Sequence, residues 1–375
     1  MTSIQEAAAS IPLVDHHCHG VLRDTPDRAS FEILATESDW PEPAGMTIFD
    51  SPFGVLVRAE CAPLLDLPRH VTADAYMARR AELGQAEVTR RLLPPTGIAT
   101  HVIDTGFRGA SILSPAEMAT AAGSTAFEIV RLEQVAEEIA ATTTADGFAA
   151  DFEQHLGERA AHAVGFKSII AYRFGLDFDP ARPTAPEVAQ AAGAWLAACG
   201  ERGTVRMDDP VLLRHILWQA VGHRKPIQMH IGYGDSDIVL HRCDPTQMTG
   251  FIKATVDSGI QLMLLHCYPF IREAGFLAQV YPHVWLDTGA AVNYTGLASE
   301  ALVRQSMEMA PFSKVLFSSD AFGLPELYFG GAFLWRRAVG RILGEWVGDD
   351  GMGAADAQRY LAMMAGDNAQ RAYGL

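Results

Sequence analysis

Eight short apolar runs, each followed by a Gly-, Pro- or Asp-rich loop and then helix-like sequence, constrain this chain more than any other feature. The runs are 12–19, 98–105, 127–133, 164–172, 226–231, 261–267, 284–288 and 315–319. They are mostly β-branched or aliphatic, the composition of buried strands. Helical composition, rich in Ala, Glu, Gln and Leu, marks 131–141, 188–199 and 354–373. Regular alternation of strand and helix reads as βα units on a parallel sheet, and eight of them predict an α/β fold of the (β/α)8 barrel type.

Length is compatible with that reading. The chain has 375 residues, 49% hydrophobic and 20% charged, enough to bury a large core, so disorder and disulfide-dependent mini-folds are excluded. Two domains or one barrel with insertions would both fit. The spacing favours the second, with 1–375 as one barrel: roughly 75 residues, 22–96, separate the first run from the second, more than a crossover helix needs. That segment holds a Pro-rich loop at 40–52 and a helical stretch at 73–93. Leaving the active-site end of the first strand, it is expected to form a helical cap over the barrel mouth, the alternative being a peripheral oligomerisation element.

Lys and Arg number 29 against 45 Asp and Glu, a net charge of −16. Nucleic acid needs a basic footprint and is not an expected partner, although a local basic pocket for a small acidic substrate remains open. The first twenty residues lack a basic region followed by a long apolar one, and no apolar run approaches the ~18 residues of a membrane span. Cytoplasmic location, no membrane partner and a homodimer are the expectations. The five cysteines, Cys18, Cys61, Cys199, Cys243 and Cys267, form no CxxC pair, so neither a disulfide framework nor a cysteine zinc site is indicated. Cys18 and Cys267 flank histidines, but strand alternation turns a neighbour to the opposite face, where both would pack in the wall.

Chemistry is concentrated at strand ends. In Asp15-His16-His17-Cys18-His19, His17 and His19 are two apart on the first predicted strand and share a face. Two converging imidazoles suit a borderline-soft divalent ion, Zn²⁺ or alternatively Mn²⁺ or Fe²⁺. An HxH pair alone is weak in a chain with 13 histidines. However, His230, His266 and Asp320 close the fifth, sixth and eighth runs, and catalytic groups of a parallel barrel gather at the C-terminal ends of its strands. Taken singly, each would be a core histidine or a capping aspartate; four strands delivering such groups to one rim is hard to attribute to packing. The other histidines lack this placement, and His16 should face away. Ser318-Ser319 precedes Asp320 without a GxSxG elbow, so a serine hydrolase is not indicated.

This pattern resembles the amidohydrolase superfamily of metal-dependent barrels, of the amidohydrolase-2 type. MHIGYGDSDIVL (229–240), LLHCYPFIREAGFLAQVYPHVWLDTG (264–289) and KVLFSSDAFGLPELYFGGA (314–332) are similar to the amidohydrolase half of FluG- and nodulin-type glutamine-synthetase fusion proteins. The resemblance implies that His17, His19, His230 and Asp320 ligate a metal. His266 is then a second-metal ligand or a general acid beside a single ion. Bound metal would activate water, Asp320 would shuttle its proton, and His266 would stabilise the oxyanion.

One metal per chain is expected. Binuclear members use a carboxylated lysine from the fourth strand, and Lys167 lies in that run, but some five residues before its predicted end, deep for a rim ligand. A bridging carbamate and an ion pair with Glu133 are the two readings of this lysine. For the substrate, Asp235 and Asp237 follow His230, Arg131 shares strand parity with Glu133, and Tyr172-Arg173 ends the fourth strand. Both signs of charge would suit a zwitterion, ammonium toward the aspartates and carboxylate toward the arginines, unless the aspartates only shape a turn and the arginines only bridge the rim. The resemblance adds γ-glutamyl amides as the substrate class. Amide C–N hydrolysis is the primary expectation; non-oxidative decarboxylation of an aromatic or enolic acid and a non-catalytic regulatory role are the alternatives.

Overall fold

The computed structural model describes residues 2–375. Seven parallel strands form one sheet in sequence order: β1 (Leu13–Cys18), β2 (Ile98–Asp104), β3 (Thr125–Arg131), β4 (Gly165–Ser168), β5 (Ile227–His230), β6 (Leu262–Leu265) and β7 (Val284–Leu286). Each joins the next through helical sequence. Both sheet faces are buried, which explains the nearly uninterrupted apolar strands. Val14, Val102, Ile129, Met263, Trp285 and Leu316 form a small cluster on one face. Ile103, Val130, Phe166, Ile227, Met229, Leu264 and Leu286 pack on the other, against the helices. Cys18 and Cys267 belong to this second cluster, as wall residues.

Alternation carries the first face toward the strand ends, where it turns polar. Register places Arg131 beside Lys167 and Lys167 beside Gln228, and Asp104 and His230 follow on the same face. An apolar floor therefore supports a layer of ionisable groups. The terminal helix Asn368–Tyr373 closes beneath it, with the Tyr373 hydroxyl 2.9 Å from Gln228 Nε2 and 3.0 Å from His16 Nδ1.

Three expectations are corrected here. The 315–319 run does not form a regular strand: Val315 makes one isolated bridge, to Leu286. Its segment still hydrogen-bonds to both sides, Leu316 N to the Leu286 carbonyl (2.9 Å) and His16 N to the Phe317 carbonyl (3.2 Å). The ladder breaks because the Asp15 carboxylate takes the Ser319 N–H at 2.9 Å and Asp320 turns to a left-handed φ of 49°. β4 stops at Ser168, since residues Ile170–Arg173 coil into a helical turn. β3 stops at Arg131, so Glu133 sits on the helix Leu132–Ile139 and shares no strand parity with Arg131. The C-terminal stretch 354–373 is helical as expected, widened to a π turn at Met363–Asp367.

The segment between β1 and β2 includes helices Arg28–Leu34, Pro52–Leu56 and Ala73–Leu92. Phe31 and Phe49 stack at 5.4 Å, with Tyr76 against both. Gly84 interrupts the third helix with φ 73°, a conformation costly for other residues, and the freed Gln85 N–H donates to Thr25 Oγ1 at 2.8 Å. Arg80 of this helix forms a fully buried ion pair with Glu326, at 2.8 Å, on the long helix Pro325–Gly348. No helix among the described residues is long and apolar enough to cross a membrane.

Candidate metal centre and active site

His17 and His19 stand side by side because β1 alternates, their rings 5.3 Å apart. Their tautomers follow from what holds them. Gln228, two residues before His230 and on the same face, donates through Nε2 to the His16 carbonyl at 2.7 Å. Its Oε1 must then accept, and it lies 2.8 Å from His17 Nδ1. The Asp104 carbonyl, which can only accept, lies 3.0 Å from His19 Nδ1. Both rings therefore carry hydrogen on Nδ1 and present an Nε2 lone pair to the cavity. Burial holds them neutral: it drives His17 well below the usual range, with Lys167 adding to the effect, and His19 to about 4.

Both lone pairs meet one oxygen. Asp320 Oδ1 is 3.0 Å from His17 Nε2 and 3.8 Å from His19 Nε2, and the ligand atoms of the three lie within 4.8 Å of one another. His266 Nδ1 is 3.1 Å from Asp320 Oδ2 yet has no hydrogen-bond partner, although it is buried. A proton on Asp320, whose carboxyl burial raises and Lys167 opposes, satisfies only one such lone pair. A divalent cation satisfies all of them, so this donor set fits a metal.

His266, Cys267 and Asp320 all adopt positive φ, of 67°, 57° and 49°, and such strain persists only where neighbours enforce it. Asp287 does so at His266: its Oδ1 accepts the His266 N–H (2.9 Å), the Gly289 N–H (2.7 Å) and the Ser318 hydroxyl (2.9 Å). The Asp320 N–H is held by the His17 carbonyl at 3.0 Å. Asp287 Oδ2 lies 2.9 Å from His16 Nε2. His16 thus points to the floor of the same inner face, between Tyr373 and Asp287. The expectation that it faces away is corrected: the register of β1 shifts between Asp15 and Cys18, which interrupts simple alternation there.

Above the triad lies a cavity of about 330 Å³. Every residue expected at the site lines it: His17, His19, Lys167, His230, His266 and Asp320, with Arg131, Tyr172, Arg173, Asp235 and Asp237. They are not equally placed. His230 lies outside the close group of three; its Nε2 faces the Tyr233 carbonyl at 3.0 Å, and its ring centroid is 4.3 Å from Tyr172 and 4.9 Å from His266. Lys167 is the penultimate residue of β4, so its expected depth is corrected to the rim. It does not pair with Glu133, whose carboxylate takes the Ser168 hydroxyl and the Ile169 N–H at 2.7 and 3.0 Å. Burial lowers the Lys167 amine to about 8, with Asp320 and Asp104 opposing.

Arg131 donates through Nε and Nη2 to Asp104 (3.1 and 2.6 Å), and Arg173 approaches Glu137 at 3.4 Å. Asp237 pairs with Arg206 at 3.0 Å, and Asp235 accepts the Asp237 N–H, the turn-shaping role weighed for it. Gln228, Asp104 and Asp287 went unnoticed in the sequence. Strand parity carries the signal for the first two, each two residues from or at a strand end on the inward face. Glu37 and Asp39, from the segment between β1 and β2, also line the cavity, with no local signal to mark them.

Comparison with known proteins bears on the family and the fold. Protein fluG of Emericella nidulans is 24% identical over 413 residues, covering 100% of this chain and 47% of its own length, so the chain spans about half of that relative. The solved structure of a provisionally assigned metal-dependent hydrolase from Lactobacillus casei ATCC 334 is 26% identical, with TM-score 0.86, covering 100% of this chain and 98% of that one. A uronate isomerase from Bacillus halodurans C-125 shares the fold, with TM-score 0.68 at 15% identity over 99% of this chain and 95% of its own. Residues 75–375 match the Amidohydrolase family, and the chain belongs to the amidohydrolase superfamily.

Proposed function

We propose that this chain is a divalent-metal-dependent hydrolase that cleaves the amide C–N bond of a small amino-acid-derived substrate such as a γ-glutamyl amide. The observation that carries the reading is the convergence of two imidazole lone pairs on the Asp320 carboxylate, with an unpartnered His266 nitrogen beside them, under a cavity with acidic and basic walls. His17, His19 and Asp320 would hold the ion, with His230 as a further ligand from the adjoining wall. A divalent ion there lowers the pKa of its water toward neutrality and polarises a carbonyl oxygen. Asp320, whose buried carboxyl favours the proton, takes it from the attacking water and returns it to the leaving nitrogen. His266 stands where it can stabilise the oxyanion, and Arg131 and Arg173 offer guanidinium groups to a substrate carboxylate.

The same reading takes 315–319 as the eighth stave of a (β/α)8 barrel and 22–96 as its cap. Support comes from the hydrogen bonds of 315–319 to both neighbours and from Ile33, Leu34, Glu37 and Asp39 in the cavity wall. One ion per chain is kept. Lys167 favours a second count, since its buried amine reaches the rim, and a carbamate on it would bridge two ions.

Metal analysis and turnover test the proposal together. Metal-replete protein should hold one equivalent and release amine from γ-glutamyl amides, and Asp320→Ala should abolish both. Two equivalents with a carboxylated Lys167 would replace the single-ion site. Release of CO₂ from aromatic carboxylates without amine would replace hydrolysis by decarboxylation, and bound metal with no turnover of either would leave a regulatory protein.

A further inference from the structure

Besides Asp320, four carboxylates stand at the cavity: Glu37 and Asp39 from the segment between β1 and β2, Asp235 and Asp237 from the loop after β5. Three are already engaged. Asp39 accepts the Ser236 N–H at 3.3 Å and the Ser236 hydroxyl. Asp237 holds Arg206 at 3.0 Å, and Asp235 accepts the Asp237 N–H at 3.0 Å. Glu37 forms no ion pair among the described residues; the Tyr294 hydroxyl is close, and the carboxylates of Asp235 and Asp39 repel its charge. Burial pushes its carboxyl up to about 7, with Tyr294 opposing.

Glu37 is half-buried in the cavity wall, and a partly desolvated carboxylate without a counter-ion is a ready place for a ligand cation. The Asp39–Ser236 contact ties the segment carrying Glu37 to the loop after β5, and the Glu37 charge is felt at Asp320. Tyr172 and Tyr294 line the same wall, and aromatic faces also favour a cation. Arg108, Arg131 and Arg173 supply the opposite charge within the one cavity.

We propose that Glu37 reads a protonated amine on the substrate, so that the site selects ligands bearing a primary ammonium over isosteres that lack it. This rests on the amino-acid amide reading for its substrate class, but it can be tested without turnover. L-glutamate and glutarate differ only in the ammonium. Calorimetric titration of metal-replete protein should show glutamate binding about tenfold tighter, the scale of one charge-assisted contact. Glu37→Gln should remove that preference, and Glu37→Asp should restore part of it.

Glutamate and glutarate binding equally to the unaltered protein, or a preference that survives in E37Q, would overturn the proposal. In the parallel assay on γ-glutamyl and glutaryl anilides, E37Q should raise KM for the first alone. An equal fall in kcat for both would give Glu37 a proton-transfer role instead and overturn selection. If neither anilide is hydrolysed while the glutamate preference vanishes in E37Q, amide hydrolysis fails and the ammonium subsite stands.

Discussion

A single amide oxygen decides which nitrogen of His17 faces the cavity. Gln228 Oε1 accepts from Nδ1 because Gln228 Nε2 is committed to the His16 carbonyl and lies 2.9 Å from the Tyr373 hydroxyl. Replacing Gln228 with Leu should free the ring to rotate or change tautomer. A partner behind a ligating histidine typically contributes about 10–100-fold in metal affinity, so Q228L should weaken binding by that factor in a chelator-competition titration. Unchanged affinity would mean that packing alone orients His17. The candidate ligands were legible at this scale: His17 and His19 by alternation, Asp320 and His266 by their place after apolar runs. Lys167 was misplaced because its depth depends on where β4 ends, and Ile169 and Ile170 look as strand-like in sequence as the residues before them.

Between elements, one ion pair locks the β1–β2 segment to the long helix after Asp320. Arg80 and Glu326 are both fully buried, and Glu326 Oε1 also accepts the Tyr76 hydroxyl at 2.9 Å. Removing one partner of a buried pair strands the other charge, at a loss of about 3–5 kcal/mol. Glu326→Ala should lower unfolding free energy by that amount in urea titration, and E326L with R80L should recover most of it. A loss below about 1 kcal/mol would show that water reaches Arg80. Helix positions here were readable from composition, since residues 73–93 carry helix-forming sequence. The pairing was not, because Arg80 and Glu326 are distant in sequence and nothing local marks either as buried.

Over the whole molecule, buried neutral histidines shape the response to acid. His101, fully buried on β2 with Nδ1 2.9 Å from Ser124 Oγ, is lowered by burial from 6.5 to about 4. Between those pH values the unfolded chain binds a proton at this site that the folded chain refuses. Stability therefore rises with pH across the window and is lost as pH falls through it. His101→Gln should make the stability profile between pH 6.5 and 4 shallower by about 3 kcal/mol, measured by denaturant titration at several pH values. An unchanged slope would place the acid sensitivity elsewhere, for example at His215, also lowered to about 4 by burial.

The sequence by itself determined the parallel α/β architecture, the face shared by His17 and His19, and the placement of His230, His266 and Asp320 at the ends of apolar runs. Those features depend on backbone period and on the rule that parallel strands end together. Tertiary structure alone decided which lone pairs meet at Asp320, that Asp237 goes to Arg206 and Glu37 to no cation, and that the 315–319 run joins its neighbours without becoming a strand. Each is a contact between segments far apart in the chain, set by how side chains fill the space between elements, and no local periodicity encodes it.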